Sequence, residues 1–415
     1  MPDTAFTIRS LSPETAKQMA DERFEKTAAI TGVGQSAVGR RLQRSAIDLT
    51  VEACRAALAD AGLQPHDIDG LSTYPGGDAL VSLGYGGPST ADVQDALRLN
   101  LQWYSGAAEL PGQLGALGLA CMAISAGVAR NVLVYRTVTE SSAQGAAGRG
   151  SVLGAEDATA SGMGRWMTPF GGISAANWLA PVAMRHFHEY GTTREQLGQI
   201  ALVQRRNAAL NPHAVFRTPL TMADYLDARM SSSPLCLFDC DIPVDGSTAF
   251  VVSHVDRATD CPHRAAYVEA FGTALRGRAS WDQYEDMSSM ASKGAADHLW
   301  SRTSLRPSDI DIAQLYDGFS ILTLVWLESL GFCGKGEGGA YVEGGERISL
   351  TGELPLNTAG GQLSAGRLHG FGLLYEAVIQ LRGDAGDRQA ADTQAALVAN
   401  GGGPIAGAMI LTSTR

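Results

Sequence analysis

Paired cysteines are missing from this 415-residue chain. Its six cysteines (54, 121, 236, 240, 261 and 333) include no CxxC spacing. The nearest set, Cys236-Leu-Phe-Asp-Cys240, has no second pair or histidine couple after it. That speaks against a zinc site and for the reduced thiols of a cytoplasmic protein. His186 and His188 lie two apart on a helical stretch and point in different directions, which makes them a poor metal pair. No run of eighteen apolar residues occurs, so a membrane span is not expected. The polar stretch MPDTAFTIRSLSPETAKQMADERF lacks the apolar core of an export signal. Blocks of like charge are absent and the net charge is −11, a poor match to a phosphate backbone, so nucleic-acid binding is not expected either.

What is present suits a soluble globular protein: 45% apolar and 18% charged residues, on a length that suggests two domains or two similar halves. The 49 glycines cluster between periodic segments, as tight turns and backbone-lined sites require.

The chain repeats itself. AAITGVGQSAVG (28–39) reads as a buried strand entering a glycine-rich turn, and AIDLTVEACRAALADAGL (46–63) as a helix with Ile47, Val51, Cys54, Ala57 and Leu58 on one face. Downstream, AAYVEAFGTAL (265–275) is again a strand, followed by a helix ending at Leu299-Trp300. LQPHDID (63–69) matches LRPSDID (305–311), and at that offset Tyr74 falls on Tyr316. The apolar helix, glycine stop and strand of LGALGLACMAISAGVARNVLVYRT (114–137) recur in LHGFGLLYEAVIQLRGDAG and AALVANGGG. Shared order at a separation of about 240 residues predicts a duplicated α/β unit. The halves fall at 1–264 and 265–415. Within the first, residues about 138–230 form a loop region, glycine-rich at its start, with two helices between Asn177 and Pro212 broken at Tyr190-Gly191.

These halves, together with DCDIPVDGSTAFVV, YDGFS and LNTAGGQLSAGRLHG, resemble the thiolase superfamily, near the sterol-carrier-protein-type thiolases, from about Ala28 onward. The resemblance implies a five-layered αβαβα fold of two duplicated halves, dimerised through the N-terminal half. A thiolase attacks with a cysteine whose pKa is lowered at a helix N-terminus. Aligning Leu114, Ala116, Ala120, Ile124 and Gly127 with that motif puts Leu110 at the cysteine. The activating histidine corresponds to Arg367, the Asn-Glu-Ala-Phe element to Tyr316-Asp317-Gly318-Phe319, and the late Cys-x-Gly-Gly-Gly to Ala399-Asn400-Gly401-Gly402-Gly403. Thiolase chemistry is therefore not expected.

The retro-aldolases of steroid side-chain degradation have lost the same groups. Similarity to them implies cleavage of a β-hydroxyacyl-CoA with no cofactor beyond the substrate's CoA, beside an OB-fold/zinc-ribbon (DUF35-type) partner. Two other functions stay open: an acyl- or acetyltransferase subunit of a thiolase-type complex, and a non-catalytic lipid-binding subunit. For cleavage, Tyr316 is the candidate base, with Arg367 as a nearby cation favouring its phenolate. Arg367 could also hold the thioester oxygen, a CoA phosphate or an acidic partner, or form a surface salt bridge. Asp317 could orient a proton relay or cap the helix that follows. His369 could donate to an enolate, shuttle a proton, or bond nearby backbone. Gly360, Gly361 and Gly401, Gly402, Gly403 could bring backbone N–H groups to the acyl thioester, or simply form tight turns.

Overall fold

A computed structural model of the chain describes residues 23–76, 84–106, 110, 112–144, 167–275 and 284–415. The first half runs β1 (Ala28–Gln35), α1 (Ala46–Asp60), β2 (Gly70–Thr73), α2 (Thr90–Leu97), β3 (Trp103–Ser105), α3 (Gly115–Ser125) and β4 (Asn131–Thr139). The short α4 (Glu140–Ala143) ends at the edge of the glycine-rich stretch, most of which lies outside the described residues. Then come α5 (Ala175–Tyr190), α6 (Arg194–Ala209), α7 (Met222–Asp227), a small hairpin of β5 (Met230–Ser232) and β6 (Leu235–Cys236), and β7 (Asp245–His254). The second half runs β8 (Ala266–Leu275), α8 (Met290–Trp300), β9 (Ile312–Leu315), α9 (Ser320–Ser329), α10 (Gly338–Val342), α11 (Phe371–Arg382), β10 (Ala395–Gly401) and β11 (Ile405–Thr412).

Hydrogen bonding links the strands in the order β3-β2-β4-β7-β1-β8-β11-β10-β9. The repeat is visible in this order. β2 runs parallel to β4, which is antiparallel to β7, which is antiparallel to β1. β9, β10, β11 and β8 follow the same sequence of relations. The half-sheets meet where Ala29 pairs with Tyr267 and Ile30 with Ala266.

Side-chain alternation builds the layers. In β4, Leu133 and Tyr135 join the cluster around α1, whereas Val132 and Val134 face the main core with α3. In β8, a Cβ on Gly272 would lie 2.3 Å from the backbone of Leu299 in α8, while Phe271 faces α3 and fills the space left by Gly118. α3 therefore lies between the half-sheets. α11 lies there too, its Phe371 ring 5.7 Å from that of Phe250 in β7. With α1 and α8 outside, the order is αβαβα. Strands covered on both faces read as continuous apolar runs, which is how β4 and β7 appear in the sequence. The segment Gly360–Ala365 packs against α6, where a Cβ on Gly360 would meet Ala208. No helix among the described residues is long and apolar enough to cross a membrane.

Candidate active site

Residues 357–372 form one wall of a buried polar cluster. Gly361 opens a turn over Gly361–Ala365 with φ +57°, and a Cβ there would meet the Asp317 carboxylate at 2.1 Å. The missing side chain lets Asp317 accept from the Gln362 and Leu363 N–H groups at 2.7 and 3.3 Å. Asp317 thus holds this turn and does not cap α9, whose N-cap Phe319 has no side-chain cap. Burial pushes its carboxyl up to about 7, against the lowering effect of those two N–H groups. Gly360 has φ +100° and packs against Ala208 of α6, and its N–H donates to Asn357 O.

Tyr316 stands at the C-terminal end of β9 and is buried. Its ring and Asp241 both border Gly318, where a Cβ would meet Tyr316 Cε1 at 2.8 Å and Asp241 Oδ2 at 3.5 Å. Arg367 is buried beside them. It is paired with Glu140, and its Nε lies 2.9 Å from Asp241 Oδ2. Burial opposes its charge, but Glu140, Asp241, Tyr316 and Tyr85 hold the guanidinium ionised. Two expectations for Arg367 change. It forms no surface salt bridge, and its cation is not a lone neighbour of Tyr316, because two carboxylates already surround it.

His369 has φ +51° and is buried among groups of the first half. Arg136 donates from Nε to His369 Nδ1 at 3.1 Å. A guanidinium can only donate, so Nδ1 accepts and the ring proton sits on Nε2. Nε2 lies 2.7 Å from Tyr85 Oη and 2.7 Å from Gln113 Nε2; with the ring proton on Nε2, the Gln113 amide turns its otherwise unpartnered Oε1 to that position, and the N–H is shared between the two oxygens. Tyr74 stacks on the same imidazole, centroids 6.1 Å apart. Next to it the Gly370 N–H donates to Gln362 Oε1 at 2.9 Å. Gly370 also makes room for the Asn400 amide, whose two polar atoms are buried with no partner among the described residues.

The late glycine run is a turn between β10 and β11. Gly401 and Gly402 have φ of +78° and +113°. Gly401 O accepts from Trp326 Nε1 at 3.2 Å and Gly403 O from Ala291 N at 3.1 Å. The Gly402 N–H donates to Ile405 O, so it and that of Gly360 are already engaged. A cavity of about 300 Å³ is lined by Gln362, Leu368, Glu376 and Arg388 among others, with neither Tyr316 nor His369 in its lining.

Sequence reading missed Tyr85, Gln113, Arg136, Glu140 and Asp241. Arg136 carried a signal: it is the one charge in the apolar strand NVLVYRTVT, and a buried charge demands partners. Tyr85 and Gln113 lie in irregular segments, and nothing local marks them.

At the thiolase nucleophile position Leu110 packs against the core, and Ala399 stands where the second cysteine would be. Burial pushes the Cys121 thiol in α3 far above the usual range and that of Cys333 up to about 12. Among the described residues no cluster of three or more His, Cys, Asp or Glu is placed to hold a metal ion. Fold and site together define a thiolase-like protein with no cysteine at the aligned nucleophile position.

Comparison with known proteins agrees. Residues 273–413 match the thiolase C-terminal domain-like family. A steroid side-chain-cleaving aldolase of Thermomonospora curvata is 35% identical over 94% of this chain and 98% of its own. The 17-hydroxy-3-oxo-4-pregnene-20-carboxyl-CoA lyase of Mycobacterium tuberculosis is 34% identical over 92% and 98%. The solved structure of an Ltp2-ChsH2(DUF35) aldolase superposes with a TM-score of 0.83 at 33% identity, covering 94% of this chain and 99% of that one. The chain belongs to the thiolase superfamily, on the branch of the steroid side-chain-cleaving aldolases. It is a carbon–carbon lyase of that superfamily.

Proposed function

We propose that this enzyme cleaves the side chain of a steroid β-hydroxyacyl-CoA by a retro-aldol reaction, together with an OB-fold/zinc-ribbon partner of the DUF35 type. One observation carries the reading. Leu110 stands at the position aligned with the thiolase nucleophile, while buried phenol, imidazole and guanidinium groups converge around His369 and Arg367. A base takes the β-hydroxyl proton and the Cα–Cβ bond breaks to leave a ketone. The electron pair passes to the thioester enolate, and an acid then protonates Cα. Tyr316 is one of the two proton-transfer groups. His369 supplies an N–H donor and Arg136 positive charge, Asp317 fixes the loop, and Arg367 anchors Glu140 and Asp241, the latter beside Tyr316. No cofactor is needed beyond the CoA of the substrate.

The names of the relatives support the steroid and CoA parts, and the DUF35 protein in the name of the superposed aldolase supports the partner. The test is incubation with 17-hydroxy-3-oxo-4-pregnene-20-carboxyl-CoA, with and without a co-encoded DUF35 protein. Expected products are the 17-ketone and propionyl-CoA, with no covalent acyl-enzyme by mass spectrometry. A covalent acyl-enzyme would favour the acyltransferase reading instead.

A further inference from the structure

Cleavage needs a base and an acid, and Arg367 can be neither at neutral pH because its guanidinium stays charged. We propose that Tyr85, contributed by the first half, is the base that takes the β-hydroxyl proton, and that Tyr316 is the acid that protonates the enolate carbon. This rests on the retro-aldol reading above.

Three contacts single out Tyr85. Its hydroxyl lies 2.7 Å from His369 Nε2, the nitrogen that carries the ring proton because Arg136 occupies Nδ1. The Arg136 guanidinium lies over its ring, Cζ 4.9 Å from the centroid, and the Arg367 guanidinium lies 5.4 Å away. An N–H on the oxygen and two cations on the ring all favour a phenolate. Protonating Nδ1 would break its bond from Arg136 and bring two cations together, so the imidazole stays a neutral donor to that oxygen.

The distribution of fixed charge separates the two tyrosines. Arg136, Arg367, Glu140 and Asp241 sum to zero, but they are not evenly placed. Both carboxylates sit on Arg367, and Asp241 lies beside Gly318 next to the Tyr316 ring. Arg136 is fully buried, its Nη1 donates to Thr137 O at 2.8 Å, and its Nη2 has no partner among the described residues. Tyr85 therefore lies under Arg136, which makes no ion pair among the described residues although Glu140 also acts on it, and Tyr316 lies beside Arg367 and its partner Asp241. Environments that push two like groups in opposite directions assign base and acid.

In the step that follows, the Tyr85 phenolate accepts the hydroxyl proton, Cα–Cβ breaks with its pair moving into the enolate, and the Tyr316 phenol gives its proton to Cα. One proton is taken and one returned, and solvent exchange resets the pair.

Tyr85→Phe keeps the ring between the guanidiniums and removes one oxygen, so the fold should hold. Tyrosinate ultraviolet absorbance should show, in the wild type, one group titrating below about pH 10, the free phenol value. That group should vanish in Tyr85→Phe. The variant should also cleave roughly 10²–10⁴-fold more slowly with KM little changed. Superimposable titrations, or a variant as fast as wild type, overturn the assignment. A wild type that releases no ketone sinks the retro-aldol reading instead, and the titration separates the two failures because it needs no substrate.

Discussion

Arg367 shows how burial alters what a residue can do. With Glu140 and Asp241 as buried partners, it is held in place by charge on both sides. Arg367→Gln leaves two carboxylates without their cation, so the main effect should be about 3–5 kcal/mol of lost stability. A fall in Tm, partly recovered by adding Glu140→Gln, is the check. Tyr316→Phe removes only a hydroxyl. The variant should fold normally and lose roughly 10²–10⁴ in rate; a variant cleaving as fast as wild type would exclude Tyr316 from proton transfer. Asp317 gives a pH signature. Its folded carboxyl is raised to about 7, above the unfolded value, so the folded state holds the extra proton between those limits. Stability is greatest at the acid end of that window and falls as pH rises through it, by up to about 4 kcal/mol. Asp317→Asn should flatten this slope in Tm measured against pH.

At the scale of elements, α3 is the helix whose N-terminus serves a thiolase nucleophile, and here it serves packing and the Gln113 amide. Cys121 lies deep within it. Cys121→Ala and Cys333→Ala should keep most of kcat after allowing for lost packing, and a hundredfold loss in a folded variant would contradict a cysteine-free mechanism. Gly118 sets two magnitudes against each other. Alanine gains about 1 kcal/mol of helix propensity over glycine. A Cβ there would meet Phe271 at 2.3 Å, and overpacking costs about 1–3 kcal/mol. Gly118→Ala should therefore destabilise, as denaturant midpoints would show, and an increase in stability would mean that Phe271 can move.

For the whole molecule, β3 is an edge strand of the sheet, and Tyr104 on it is 69% exposed. An open edge with an exposed aromatic is a surface suited to a second copy. Sedimentation should give a dimer at micromolar concentration, and a Tyr104→Glu variant should shift it toward monomer. Co-purification with a co-encoded zinc-ribbon protein checks the other association.

The sequence by itself determined the elements and their duplication. The period of apolar residues, the caps and glycine stops, and the LQPHDID/LRPSDID match are local features that survive in one dimension. In the structure Ser45 and Thr193 cap α1 and α6 by accepting from the N–H groups of Asp48 and Gln196. The loss of the nucleophile was legible for the same reason, since motif spacing along α3 fixes Leu110. What surrounds each candidate was not legible. Tyr85, the Arg136–Glu140 segment and the Arg367–His369 segment are far apart in the chain, and only the stacking of α3, α11 and the half-sheets brings them together. Charge state, tautomer and carboxyl affinity depend on neighbours within a few ångströms and on exclusion from water, and both are products of tertiary packing.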